Sequence, residues 1–177
     1  MERRKVITYI IAMLSGVGIV CLDQYTKYYI NANYESLHSH TLIPKIIDIV
    51  YVRNTGAAWG MLKDQTWFLI SVTAVVMLIC ITLILKYGTK NKFLFWAMVF
   101  VLSGGIGNLI DRVFRGGRVI DFLHFEFWED FPVFNIADCA IVLGAVLFVI
   151  YFICDLWVEM KSRGRKKHKP GAENEGT

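Results

Sequence analysis

Two aspartates fall where the sequence is otherwise apolar, and their surroundings suit acid and base work. Asp138 is the only formally charged residue between positions 133 and 153, and Asp121 sits in Gly117-Arg118-Val119-Ile120-Asp121-Phe122 with apolar neighbours on both sides. Two carboxylates held close together do not both ionise readily, so they share a proton and titrate as a coupled pair. The charged member can take a proton from water while the protonated member donates to the substrate carbonyl. Such a pair hydrolyses a peptide with neither a metal nor a side-chain nucleophile. Taken singly, each residue has a plainer reading: Asp121 as an exposed strand acid, Asp138 as the partner of a helix dipole. Asp138 is expected to lie deeper than a cap requires, because its apolar run opens at Val133 with Pro132 as the helix start.

Other polar residues are spaced to surround such a pair. Gly104, Asn108 and Asp111 follow the i, i+4, i+7 pattern of one helical face, where small residues allow close contact with a neighbouring helix. Their structural reading is a packing seam with an Asp111/Arg112 interfacial charge cluster. Asn135 and Asp138 are three apart and share a face, while Asp23 and Lys27 form an i, i+4 pair that reads as a local structural bridge. Asn54, just after a strand-like run, is placed to donate to a peptide backbone or a developing oxyanion. Arg112 beside Asp111 would anchor the third helix to the following strand.

Competing hydrolytic machineries fit less well. His38, His40, His124 and His168 all lie outside the apolar runs, and Ser103-Gly104-Gly105 lacks the glycine-flanked setting of a nucleophilic serine. There is no HExxH pattern, P-loop or dinucleotide glycine motif. A serine paired with lysine remains open only outside the membrane. The four cysteines, Cys21, Cys80, Cys139 and Cys154, show no CxxC spacing and read as small buried apolar residues.

These residues must be positioned by an unusually apolar chain. Of 177 residues 55% are hydrophobic and 19% charged, the latter below the usual ~25%. Disorder is excluded, and one ordinary soluble domain of this size could not hide so much apolar surface. Stretches 6–22, 66–85, 93–110 and 133–153 each cover most or all of a ~30 Å hydrocarbon core at ~1.5 Å rise per residue. Four transmembrane helices are therefore predicted. The first follows Arg3, Arg4 and Lys5 as a secretory signal would, but it ends in Asp23-Gln24 instead of a small-residue cleavage pattern and is read as a retained span.

Twelve of the 19 Lys and Arg lie at the N-terminus, in the 86–92 loop or in the C-terminal tail, whereas ten of the 15 acidic residues fall within 23–64 or 111–138. Both termini are thus expected in the cytoplasm, with the long loops facing outward. Basic residues clustered at the ends of apolar runs suit a membrane and give no nucleic-acid-binding face. Segments 46–53 and 118–127 read as strands of a small extracytoplasmic β element. Residues 1–160 form one membrane-embedded domain, and 161–177 a basic, solvated cytoplasmic tail near anionic headgroups.

Five blocks now stand in order: Asp23-Gln24-Tyr25-Thr26-Lys27, Asn54-Thr55-Gly56-Ala57-Ala58-Trp59, Gly104 through Arg112, Gly117 through Phe122, and Phe134-Asn135-Ile136-Ala137-Asp138. In sequence and order they resemble the bacterial lipoprotein signal peptidases, the type II signal peptidases, across residues 6–155. The resemblance implies an aspartyl endopeptidase of the bacterial cytoplasmic membrane. Such an enzyme removes the signal peptide from a prolipoprotein, cutting on the amino side of a cysteine that carries a diacylglyceryl group. By motif the catalytic dyad falls on Asp121 and Asp138. Asn54, Asn108, Asp111, Arg112 and Asn135 match residues that line or support the site, Gly56 and Ala137 lie inside the matched blocks, and Asp23 and Lys27 match the block at the end of the first helix. The resemblance also implies no cofactor, no metal, inhibition by globomycin-like cyclic peptides, membrane lipid as the surrounding partner, and a monomer. Trp59 stands where many members have Phe and Ile120 where many have Val, which bears on substrate preference.

Two other classes remain open at this point. A transporter would bind a cation or proton at Asp138 and Asp111, although transporter sites lie near the midplane and these polar groups collect at one face. A lipid- or peptide-binding scaffold would hold its ligand uncut.

Overall fold

The computed structural model describes residues 2–34 and 39–167. Four helices carry most of them: α1 (Glu2–Asn33), α2 (Thr66–Tyr87), α3 (Lys92–Phe114) and α4 (Ile136–Lys167). All four are long and apolar enough to cross a membrane, as expected. α1 and α4 overrun the predicted 6–22 and 133–153, since 32 residues each at ~1.5 Å rise exceed a ~30 Å core. Asp23 and Lys27 therefore lie on a helix that continues past its apolar stretch. α4 likewise stays helical to Lys167, into the segment expected as a tail, while 168–177 and His38 lie outside the described residues.

α3 is the central helix. It packs against each of the other three, and over half of its apolar stretch is buried, whereas α1, α2 and α4 leave apolar side chains such as Leu14, Val75 and Val146 exposed on the outside of the bundle. Two glycines let the neighbours approach: a Cβ on Gly104 would overlap the Ala137 carbonyl oxygen, and one on Gly107 would sit 2.7 Å from Asp23 Oδ2. Asn91 starts α3 by accepting a hydrogen bond from Leu94 N, which supplies one of the partners a helix end lacks. Of the cysteines only Cys80 is buried; Cys21, Cys139 and Cys154 are exposed. The expectation of buried cysteines therefore fails at three positions, where an apolar side chain can face hydrocarbon as readily as protein.

Three strands, β1 (Ser39–Ile43), β2 (Ile47–Asn54) and β3 (Val119–Phe125), form an antiparallel sheet in that order. It lies at the end of the bundle where α1 and α3 finish and α2 and α4 begin. β2 and β3 occupy the predicted segments, and their register sets Val52 opposite Asp121, Arg53 opposite Ile120 and Asn54 opposite Val119. β1 was not expected: all five of its residues are exposed, so no apolar alternation announces it. Ile30, Tyr51, Ile120 and Phe122 form a buried cluster that fastens the sheet to α1.

The start of α4 differs from the sequence reading. Phe134 pairs with Leu123 of β3, which holds 132–134 extended and delays the helix to Ile136. Asn135 Oδ1 accepts from Asp138 N at 2.9 Å, and Asp138 Oδ2 accepts from Asn135 N at 3.1 Å. This reciprocal arrangement is a capping box. Asp138 thus lies in the first turn of α4, where it caps the helix, and not six residues into it.

The close crossing of α3 with α4 makes a testable demand. Gly104→Val should destabilise the protein by about 1–3 kcal/mol or more, seen as a lower thermal midpoint in detergent. Gly18→Ala, where an added Cβ meets nothing within 4 Å, should leave the midpoint unchanged.

Candidate active site

β3 and the first turn of α4 bring Asp121 and Asp138 to one place, and Asn135 touches both. Asn135 Nδ2 donates to Asp121 Oδ1 at 2.6 Å, while its backbone N–H donates to Asp138 Oδ2 at 3.1 Å. Asp121 Oδ2 accepts from Asn54 Nδ2 at 2.9 Å, and Asp138 Oδ1 accepts from Asn108 Nδ2 at 2.8 Å. Each carboxylate is therefore held at both oxygens by groups that donate and carry no charge.

Asp121 is buried. Burial, and next the negative charge of Asp138, push its carboxyl up to about 7, against the hydrogen bonds from Asn54 and Asn135 and the more distant charge of Lys27. A carboxyl in this range can hold or release a proton near neutrality.

The amide orientations are fixed from behind. Asn54 Oδ1 accepts from Gly56 N at 2.8 Å, a turn that leaves Nδ2 facing Asp121. A Cβ on Gly56 would lie 2.7 Å from the Met61 carbonyl oxygen, so the turn is tight. Asn54, expected to serve a peptide or an oxyanion, gives one of its two Nδ2 N–H groups to Asp121. Asn108 Oδ1 accepts from Lys27 Nζ at 3.0 Å and from Asn135 Nδ2 at 3.2 Å, which leaves Asn108 Nδ2 to face Asp138.

Lys27 has no exposed surface and lies between Asp23 Oδ2 at 2.9 Å and Asp111 Oδ2 at 3.2 Å, both equally buried. Asp23 Oδ1 accepts from Ala137 N at 2.9 Å, and Asp111 Oδ2 from Ile120 N at 3.1 Å. The i, i+4 pair expected as a local bridge is thus the junction of α1, α3, α4 and β3. Arg112 departs from the expected cluster with Asp111: its guanidinium donates to the Gly56 carbonyl at 3.2 Å, tying α3 to the turn after β2. Asp111, not Arg112, anchors the following strand.

Two participants were missed in the sequence. Gln24 Nε2 donates to Asp23 Oδ2, the Gly107 carbonyl and Asp111 Oδ1 at 3.0–3.1 Å. Arg115 Nε lies 3.4 Å from Asp111 Oδ1. The available signals were the position of Gln24 on the helix that carries Asp23 and Lys27, and the i, i+4 spacing of Arg115 from Asp111.

The centre opens on a cavity of about 320 Å³ lined by Asn54, Gly56, Trp59, Lys63, Asp121 and Val133 among others. At its rim Trp59 meets Phe131 edge-on, with ring centroids 6.1 Å apart. Trp59 holds φ at +54°, a left-handed conformation uncommon for a bulky residue.

Fold and site together define a polytopic membrane protein with a two-carboxylate centre at one end of its bundle. The signal peptidase (SPase) II family profile matches residues 16–154. A lipoprotein signal peptidase of Bacillus pumilus (strain SAFR-032) is 42% identical over 148 residues, which is 83% of this chain and 92% of that protein. A bacterial membrane enzyme solved at 2.3 Å superposes with a TM-score of 0.77 and 32% identity over 94% of both chains. A second, at 1.9 Å, gives 0.73 and 35% over 80% of this chain and 91% of the other. The chain belongs to the signal peptidase II family and is a bacterial multi-pass membrane protease.

Removing the central cation should expose how much rests on it. Lys27→Met leaves Asp23 and Asp111 facing each other without a full counter-charge, and should cost about 3–5 kcal/mol of stability, read as a fall in folded protein recovered and in thermal midpoint. Adding Asp111→Asn should recover part of that loss, because one stranded charge is removed.

Proposed function

We propose that the chain is an aspartyl endopeptidase that removes the signal peptide from diacylglyceryl-modified prolipoproteins, cutting on the amino side of the lipidated cysteine. The observation that carries this reading is Asn135, which bridges the two carboxylates through its side chain and its backbone. The substrate class rests on family membership and on the lipoprotein signal peptidase of Bacillus pumilus.

The pair holds one proton between its two members. The charged carboxylate takes a proton from a water that attacks the scissile carbonyl carbon, while the protonated carboxyl hydrogen-bonds the carbonyl oxygen. The tetrahedral intermediate collapses as the leaving amine gains a proton, the C–N bond breaks, and the pair returns to its single-proton state. Which aspartate starts as the base is left unassigned, since the proton belongs to both. Asn54, Gly56, Asn108, Arg112 and Asn135 orient the dyad, and Asp23, Lys27, Asp111 and Ala137 hold the elements that carry it. The basic ends of the spans support both termini in the cytoplasm and the dyad near the extracytoplasmic face. The enzyme acts as a monomer in membrane lipid, and globomycin-like cyclic peptides would compete for the cavity beside Asp121.

In a cleavage assay on purified diacylglyceryl prolipoprotein, Asp121→Asn and Asp138→Asn should each lower turnover by at least about 10²-fold. Asparagine keeps the size and one of the two acceptor oxygens, and the thermal midpoint of each variant checks that it is folded. Wild-type turnover in either folded variant removes the dyad.

The pH profile supplies a second test. Asp121 has its carboxyl raised to about 7, so the folded protein keeps this proton where an unfolded chain has lost it. This group's contribution to stability therefore declines as pH rises from the ordinary carboxylate range to about 7, and turnover falls above about 7 as the shared proton leaves. Asn54 favours the ionised form of Asp121. Asn54→Ala should lower turnover with little change in abundance, and move the alkaline limb upward; a limb that stays put or moves down contradicts the assigned role.

A further inference from the structure

On the face of the sheet turned away from the dyad, three arginines from three parts of the fold line one cavity. Arg53 comes from β2, Arg115 from the end of α3 and Arg118 from the turn into β3, with Tyr28, Asn31 and Ile120 completing a space of about 260 Å³. The register explains its place. Arg53 and Ile120 are cross-strand partners, while their neighbours Asn54 and Asp121 line the catalytic cavity, because a strand sends alternate side chains to opposite faces. Arg53 alone borders both cavities.

Among the described residues the charge here is only partly matched. Arg115 is matched by Asp111, as Lys27 is by Asp23. Arg53 is held by neutral groups: its Nε donates to Tyr51 Oη at 2.6 Å, and its guanidinium lies 5.5 Å from the Tyr51 ring centroid. Among the described residues no carboxylate lies within ion-pair distance of Arg53 or Arg118. The carbonyl end of α3 opposes an anion, but that end carries Arg112 in its last turn and Arg115 at its C-cap position. Converging guanidinium groups are suited to the oxygens of a phosphate.

Two further observations say what carries the phosphate. Tyr28, which lines the cavity, is 68% exposed, and Tyr25 on α1 and Phe114 at the end of α3 are 67% and 79% exposed, at the helix ends where aromatic side chains meet lipid headgroups. Along α1, an apolar groove of about 430 Å³ between α1 and α3 is lined by Val17, Val20, Cys21 and Ile106. Cys21 and Tyr28 are seven residues apart and share a face, so the apolar groove and the arginine cavity lie along one side of α1. We propose that the Arg53–Arg115–Arg118 cavity binds the phosphate of an anionic phospholipid, with an acyl chain in the α1–α3 groove.

Full-length protein in neutral detergent is titrated with phosphatidylglycerol, phosphatidylcholine of the same chains, or inorganic phosphate, and bound adducts are read by native mass spectrometry. Phosphatidylglycerol should bind more tightly than phosphatidylcholine. Arg53→Gln with Arg118→Gln should weaken it about fivefold for each arginine removed, and Arg118→Lys should retain most of the binding. Lys90→Gln, at the opposite end of the bundle, should change nothing. Equal binding of the two lipids overturns the proposal, as does equal binding by wild type and the double variant. Tight inorganic phosphate binding without a preference for phosphatidylglycerol also overturns it, in favour of a free-anion site. Should the double variant fail to fold, Arg118→Gln alone, at an exposed side chain, carries the same comparison.

Discussion

A lysine whose side chain has no solvent contact must find in the protein replacements for the water it has lost. Lys27 does so with Asp23, Asp111 and the side-chain amide oxygen of Asn108. The same three partners reach further: Asp23 to the backbone of α4, Asp111 to the backbone of β3, and Asn108 to Asp138. The cost of burying the charge is thus offset by bonds that also set where the sheet and α4 meet the bundle. Apolar packing alone would let these elements slide, since lipid-facing helices gain little from one apolar contact over another. Directional polar bonds remove that freedom.

Around Asp121 and Asp138 the protein uses uncharged donors. Asn54, Asn108 and Asn135 reach carboxylate oxygens through their amides, while Lys27 is separated from Asp138 by Asn108. A lysine or arginine in direct contact would favour the ionised form of both carboxylates. Amide donors orient the acids without outweighing burial and the negative charge of Asp138, which push the Asp121 carboxyl up to about 7. Arg112, the other cation close by, is turned to the Gly56 carbonyl.

The sequence made much of this legible. Four spans announce themselves by length and lack of charge, and two carboxylates in apolar surroundings stand out because such placement is costly. What it hid was mostly a matter of partners distant along the chain. The Asp23 and Lys27 pair looks local because its spacing is helical, and nothing in one sequence shows that Asp111 and Asn108 close on it from another helix. Asp138 looked too deep for a cap because apolar residues 133 and 134 were counted as helix, when Phe134 had been drawn into the sheet by Leu123. β1 left no pattern because neither of its faces is buried. Gln24 and Arg115 were passed over because a polar residue at a helix end needs no special explanation until its contacts are seen.

The capping box at α4 sets different length tolerances on its two sides. The connection from Phe125 to Phe134 runs through turns and can absorb insertions or deletions in its middle without moving either acid. The interval from Asn135 to Asp138 can absorb none: one added residue would swing the carboxylate about 100° around the helix axis, away from Asn108 and out of reach of Asn135. Homologous chains should therefore vary in how long this loop is while holding these two residues three apart, and any graft that transplants the loop must leave that interval whole.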